Sequence, residues 1–246
     1  MTKKRSDSGS YGQYCPLALA AELLCRRWTI LVISRLIDGC TTFNEIHQGV
    51  PRISPTLLSK RLEELEDYGI AVKKKIKNSN RYRYELTEAG WALDGIIMDI
   101  AVWGQHWARD MDVSDLDPGF LAWSMHTRIN IEAMPTGRTV MQFEFAGAPA
   151  ECQRFWLVHE AGKVDMCLKN PGYETDLLIH ADLLRFIETW RGFRDLRNEI
   201  AIGRIRLQGP SHYKKAFPDW LLLSALSPYP RKHRGREQRL HEKQAV

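Results

Sequence analysis

Apolar residues in the first ninety positions fall at helical spacing and are broken by capping and turn residues. LALAAELLC follows Pro16, a residue suited to the first turn of a helix. After Arg26 and Arg27, WTILVISRLID predicts a second helix, with Ile30, Leu31, Ile33 and Leu36 inward and Arg35 and Asp38 in solvent, stopped at Gly39. TTFNEIHQG predicts a third, capped by Thr41 or Thr42, with Phe43 and Ile46 one turn apart. ISPTLLSKRLEELEDYG predicts a fourth, with Ser54 as N-cap and Pro55 at the first helical position. Leu58, Leu62 and Leu65 at i, i+4 and i+7 form its buried stripe. At ~100° per residue, Thr56, Ser59, Lys60 and Glu63 project from the opposite side, and acid gathers in the last turns.

AVKKKIK and RYRYEL then read as two strands around Asn78-Ser79-Asn80, a β-hairpin whose tip carries Lys77, Arg81 and Arg83. A helix, a short turn, a helix and a basic hairpin make a winged helix-turn-helix. Each part has a plain reading: a polar helix face is usually solvated, and a lysine run guards a strand edge. Their succession in this order favours DNA. A helix that is polar or basic at its N-terminal end suits the major groove, and hairpin cations suit phosphate or the minor groove.

Thr87 can cap a long helix to about Arg109. Leu93, Ile96, Ile97, Ile100, Trp103 and Trp107 form one stripe, while Trp91, Met98, Ala101 and Val102 lie on other faces. Such a helix needs two buried neighbours, and a homodimer partner or the rest of this chain can supply the second. DMDVSDLDPG begins a linker. Beyond it RINIEA, TVMQFEF, QRFWLVHE and KVDMCLK are strand-like, DLLIHA leads into a helix capped by Asp182, a short helix follows Asp195, and RIRLQG precedes a last helix from Pro210. This is an α+β layout, a mostly antiparallel sheet with helices on one face. Met141, Phe143, Phe155, Trp156, Met166, Phe186, Ile187 and Trp190 either line an apolar ligand pocket or form plain core.

Composition fits a soluble globular chain: 246 residues, 44% hydrophobic and 26% charged. No apolar run is long enough to span a membrane, and the basic start lacks the apolar core of a signal peptide, so a cytoplasmic protein is expected. The net charge of +5 is uneven, with balances of +5 over 1–90, −4 over 91–230 and +4 over 231–246, which puts a polyanion partner at the front. The five cysteines, with no CxxC, suit free thiols rather than a disulfide framework or a zinc site. No GxSxG, HExxH, P-loop or GxGxxG is present, so neither an enzyme nor a cofactor is expected.

CPLALAAELL, RRWTILVISRLIDG, TTFNEIHQGVPRISPTLLSKRLEELEDYGI and YRYELTEAG together resemble the HxlR family of bacterial winged helix-turn-helix regulators, from Cys15 to about Gly90. The resemblance implies a dimer that binds double-stranded operator DNA through Arg52, Ser54, Thr56, Ser59 and Lys60, with Lys74, Lys75, Lys77, Arg81 and Arg83 in the wing. Some members sense electrophiles through a thiol matching Cys15, which is otherwise a small apolar residue at a helix start or dimer seam. The segment from DLLIHADLLRFIETWRG through GRIRLQGPSHYKKAF resembles the sterol-carrier-protein-like fold and implies a small apolar effector. The expected organisation is an N-terminal arm at 1–14, a mainly α winged domain with dimerisation helices at 15–110, a linker at 111–126, an α+β sterol-carrier-protein-like domain at 127–230 and a disordered basic tail at 231–246. A purely structural second domain beside a Cys15 redox sensor, and a lipid carrier tethered to DNA, are the competing arrangements.

Overall fold

Each capped apolar stripe of the first half becomes a helix. In the computed structural model, which describes residues 10–77 and 79–233, these are α1 (Pro16–Leu24), α2 (Thr29–Ile37), α3 (Phe43–Gly49) and α4 (Pro55–Asp67). Thr42 caps α3 in a reciprocal box: its hydroxyl accepts from Glu45 N–H, and Glu45 carboxylate accepts from Thr42 N–H at 2.9 Å. The Ser54 hydroxyl accepts from Leu57 N–H at 3.3 Å and starts α4. Val32, Ile33, Leu36, Ile46, Leu58, Leu62 and Leu65 are buried and form the centre of this unit. Two details of α2 differ from expectation: Leu31 is 49% exposed, and Arg35 is largely covered and paired with Asp38 at 3.1 Å.

Gly69, at φ +69°, ends α4 in a left-handed turn that leads straight into β1 (Ala71–Lys75). β1 pairs antiparallel with β2 (Tyr82–Leu86), from Ala71 opposite Leu86 to Lys75 opposite Tyr82. Tyr84 is buried, and its N–H donates to Thr41 O at 2.7 Å, which roots the hairpin beside α3. Asn78 lies outside the described residues. Thr87 caps α5 (Glu88–Trp91), and α6 (Asp94–Trp107) follows, so the single helix expected from Thr87 to Arg109 is two helices.

The chain divides into two compact units, Met1–Asp99 and Ile100–Val246. The span 111–126, expected as a linker, contains a turn of 3-10 helix and then α7 (Pro118–His126). Asp117 caps α7, and Leu121, Ala122 and Met125 on it are buried, because the sheet of the second unit needs an apolar cover. The sheet is built from β3 (Thr139–Ala146), β4 (Arg154–Glu160), β5 (Lys163–Cys167), β6 (Leu177–Asp182) and β7 (Ile205–Gln208), in the order β5-β4-β3-β6-β7. The pairs are antiparallel except β3 with β6, which is parallel. α8 (Leu183–Trp190), α9 (Leu196–Ala201) and α10 (Ser211–Trp220) complete the unit. RINIEA is not a strand: Ile129 makes one bridge to Leu221, and Ile131–Ala133 is a 3-10 turn.

Met141, Phe143 and Phe145 of β3, Phe155 and Leu157 of β4, Phe186 of α8 and Phe217 of α10 share one buried core with the α7 residues. Val140, Trp156 and Val158 form a small cluster on the opposite face of the sheet, as the two-residue strand period requires. Residues 234–246 of the basic tail and 1–9 of the arm lie outside the described residues. At the start of the expected tail, Lys232 and His233 instead donate their N–H groups to His106 O.

Gly90 is held by a close backbone approach: an added Cβ would lie 2.3 Å from Ile70 O. Gly90→Ala is therefore expected to cost about 1–3 kcal/mol by overpacking, read as a lower urea midpoint for the full chain, whereas Gly95→Ala, inside α6 where a Cβ meets nothing within 4 Å, should raise it by removing a helix-weakening glycine.

Candidate nucleic-acid interface

The burial of Leu58, Leu62 and Leu65 turns the other side of α4 outward, and Thr56, Ser59, Lys60 and Glu63 are all exposed there. Arg52 and Ser54 are exposed just before the helix, and all five of the residues expected at the groove therefore cluster at its N-terminal end. The His47 ring bonds Ile53 O at 3.0 Å, and Val50 and Ile53 are buried, so the turn between α3 and α4 is anchored by both polar and apolar contacts. Lys60 lies in the N-terminal half of α4, the half toward the positive end of the helix dipole.

Acidic residues sort the cations of this unit into two kinds. Glu64 accepts from Arg61 at 2.7 Å and pairs with Arg26 at 3.0 Å, and the Arg61 guanidinium also donates to Arg27 O at 2.9 Å. Arg61 is thus drawn inward, where it fastens α4 to the loop before α2. On the hairpin, Glu85 holds Lys74 at 2.5 Å and Arg83 at 2.7 Å. The Lys74 hydrogen bond, together with the Arg83 charge, keeps the Glu85 carboxyl below its ordinary range. Lys74 and Arg83 are direct cross-strand partners, a like-charge arrangement that Glu85 offsets. Lys75, Lys77 and Arg81 are exposed and make no ion pair among the described residues. They mark the distal part of the hairpin as the part with unspent charge.

Lys73, not singled out from the sequence, sits over the Tyr82 and Tyr84 rings, 4.8 and 5.8 Å from their centroids. The alternation of RYRYE carried the signal, since it places both tyrosines on the Lys73 side of the ribbon. Exposed Asn44 and Gln48 of α3 are two further polar groups on the helix that precedes the turn.

Outside this surface, Met141, Phe143, Phe155 and Phe186 pack on one another, with Phe143 and Phe155 stacked at 4.9 Å between centroids. Trp190 is buried in the same core, and Met166 and Ile187 flank it, while Trp156 lies on the other face of the sheet. The eight residues weighed as a pocket or plain core are thus not all on one side. Cys15 is an exposed free thiol at the N-cap of α1. Among the described residues, no group of three or more His, Cys, Asp or Glu is placed to hold a metal ion, and no helix is long and apolar enough to cross a membrane.

The family model for HxlR-like helix-turn-helix proteins matches residues 23–112. The chain is 34% identical over 111 residues to the uncharacterized HTH-type transcriptional regulator YvaP of Bacillus subtilis, covering 44% of this chain and 95% of the relative. It is 34% identical over 100 residues to the HTH-type transcriptional regulator YodB of the same organism, covering 40% of this chain and 89% of the relative. The solved structure of YodB in its reduced form is similar at 33% identity, covering 41% of this chain and 100% of that one, with a TM-score of 0.36.

The thiols differ in environment. Burial, opposed in part by the Arg35 charge, pushes the Cys40 thiol up to about 11. At neutral pH iodoacetamide is expected to modify exposed Cys15 and Cys25 and to spare Cys40, whose labelling should rise only as pH climbs toward that value. Peptide mass spectrometry across a pH series checks this.

Proposed function

We propose that this chain, which belongs to the HxlR-like helix-turn-helix family of transcriptional regulators, is a sequence-specific homodimer that reads operator DNA with α4 and steadies it with the hairpin. The observation that carries the reading is the outward face of Thr56, Ser59 and Lys60 on a helix whose opposite stripe is fully buried. In the major groove, Lys60 donates to guanine O6 or N7, and the two hydroxyls contact base edges or the adjoining phosphate. Arg52 and Ser54 lie at the groove entrance. Lys75, Lys77 and Arg81 bind the flanking phosphates directly, while Lys74 and Arg83 exchange Glu85 for phosphate on docking.

Homodimerisation is supported by α6. Ile96, Ile100, Trp103 and Trp107, at successive helical turns, are 50%, 45%, 62% and 46% exposed, and Trp91 just before them is 52% exposed. A row of large apolar groups of this kind is a protein interaction surface. A second copy provides the two-fold symmetry that matches paired half-sites about one helical turn apart. The second unit is read as a sterol-carrier-like module that responds to a small effector, on the strength of its helix-covered five-stranded sheet. Effector binding changes operator affinity by shifting the dimer between two arrangements.

Two measurements test the reading on the full chain, using labelled DNA from upstream of its own coding sequence. Lys60→Ala should weaken operator binding by about 1–3 kcal/mol and relax preference at one base position, while Lys75→Ala should weaken operator and random DNA alike and reduce the salt slope by about one. Unchanged binding in Lys60→Ala combined with Thr56→Ala would remove α4 as the reader. Trp103→Glu should convert the dimer to a monomer in sedimentation equilibrium, and a wild-type chain that is monomeric at all concentrations tested would end the dimer proposal.

A further inference from the structure

A cleft of about 590 Å³ opens in the second unit where the end of α8 meets Gly192–Arg194 and the segments at 110–111 and 230–231. Its volume lies in the range of small-molecule sites, about 300–1,000 Å³. Three guanidinium groups line it, those of Arg191, Arg194 and Arg231, against two carboxylates, Asp110 and Glu188. Both carboxylates are already engaged: Glu188 accepts from Arg194 at 2.5 Å, and Asp110 accepts from Arg231 at 2.6 Å. Arg191 is left without an acidic partner among the described residues.

Among the described residues, the side-chain acceptor of Arg191 is a neutral amide. Its Nε and Nη2 donate to Gln105 Oε1 at 3.1 and 2.8 Å. Gln105 is 1% exposed, and its Nε2 donates to Arg191 O at 2.9 Å and Tyr229 O at 3.2 Å. Those two carbonyls fix the amide with its oxygen toward the guanidinium, so one edge of Arg191 is held and oriented while its charge goes unneutralised. The guanidinium also lies over the Phe193 ring, 4.7 Å from the centroid, and Arg231 lies over the same ring at 5.9 Å. Burial first, and the Arg231 charge second, pull the Arg191 pKa below its ordinary value. Two like charges share one ring at the wall of a cleft, and an anion placed between them would relieve both costs. The rest of the lining is apolar, with Met111, Leu184 and Pro230 beside Phe193.

We propose that this cleft is a binding site for a small organic anion, a carboxylate on a compact apolar body, with Arg191 as the oriented charge partner, Arg231 as the second, and Phe193 as the platform. A planar carboxylate suits the guanidinium fork. In the absence of ligand Asp110 occupies Arg231, and a bound carboxylate competes with it. Asp110 lies three residues beyond Trp107, the last residue of α6, and Arg231 also donates to Ala108 O at 2.9 Å. The competition therefore acts on the end of the helix that carries the exposed apolar row. As an effector site the cleft rests on the reading of the second unit given above, but the binding step stands or falls by itself.

The test is calorimetric titration of the full chain with benzoate, with its uncharged relative benzamide, and with inorganic phosphate, followed by operator binding at saturating benzoate. Benzoate is expected to bind and benzamide to fail. Arg191→Met should lose about tenfold or more in benzoate affinity, and Arg231→Gln should lose a smaller part. Asp110→Asn removes the competing carboxylate and should strengthen binding about two- to fivefold, a gain that misfolding cannot produce. Equal affinity for benzoate and benzamide, no saturable benzoate binding below a Kd of roughly 10 mM, wild-type affinity in a folded Arg191→Met, or Arg191-dependent binding of phosphate alone would each overturn the proposal. Arg191-dependent benzoate binding that leaves operator affinity unchanged would keep the site and remove its role as effector site.

Discussion

The N-terminal unit depends on one packing constraint, the burial of Leu58, Leu62 and Leu65 on the side of α4 that faces α2 and β1. Burial of three leucine side chains contributes several kcal/mol at about 1.5–3 kcal/mol each, far more than any exposed ion pair on the same helix, at about 0.2–1 kcal/mol. The leucines therefore decide the rotation of α4 about its axis, and the polar residues take the direction that remains. Thr56, Ser59 and Lys60 face outward because the core needs the opposite face. The Ser54 cap and Pro55 add a sharp start to the end of the helix nearest these side chains.

Electrostatics then divides the cations by whether an acid has claimed them. Arg26 and Arg61 converge on Glu64, and Lys74 and Arg83 on Glu85. The first set fastens helix to helix. The second offsets the repulsion between two like charges that face each other across the hairpin. Lys75, Lys77 and Arg81 are exposed and in no ion pair among the described residues, so the distal hairpin carries the cations that no acid has claimed. The same logic in the second unit singles out Arg191, whose partner is an amide where its neighbours have carboxylates.

Much of the first unit was legible in the sequence, since caps, stops and the leucine stripe are local signals. Ser54 and Asp182 cap the helices expected of them, Thr42 is the cap where Thr41 or Thr42 was expected, and Thr87 caps the short α5 in place of one long helix. The signals that misled were those whose meaning depends on distant partners. DPG after an acidic stretch reads as a linker, yet Asp117 and Pro118 begin α7, because the sheet offers an apolar surface for Leu121 and Met125 to cover. RINIEA has strand-like residues but no strand to pair with beyond one bridge. The parallel pairing of β3 with β6 also has no local mark, since strand direction is set by the path of the intervening hairpin.

The sequence alone determined most of the helices and strands, RINIEA, α7 and the break between α5 and α6 excepted, and that a polar helix face and a basic ribbon follow one another in a winged helix-turn-helix order. Those properties follow from neighbours within a few positions, through capping, periodicity and turn chemistry. Tertiary structure alone decided which cations are spent and which are available, which thiol is buried, and that the aromatic stripe of the second unit is largely buried while the Arg191 guanidinium at a cleft is met by an amide. Each of these depends on groups far apart in the chain, such as Gln105 and Arg191, whose meeting is fixed only when the core closes.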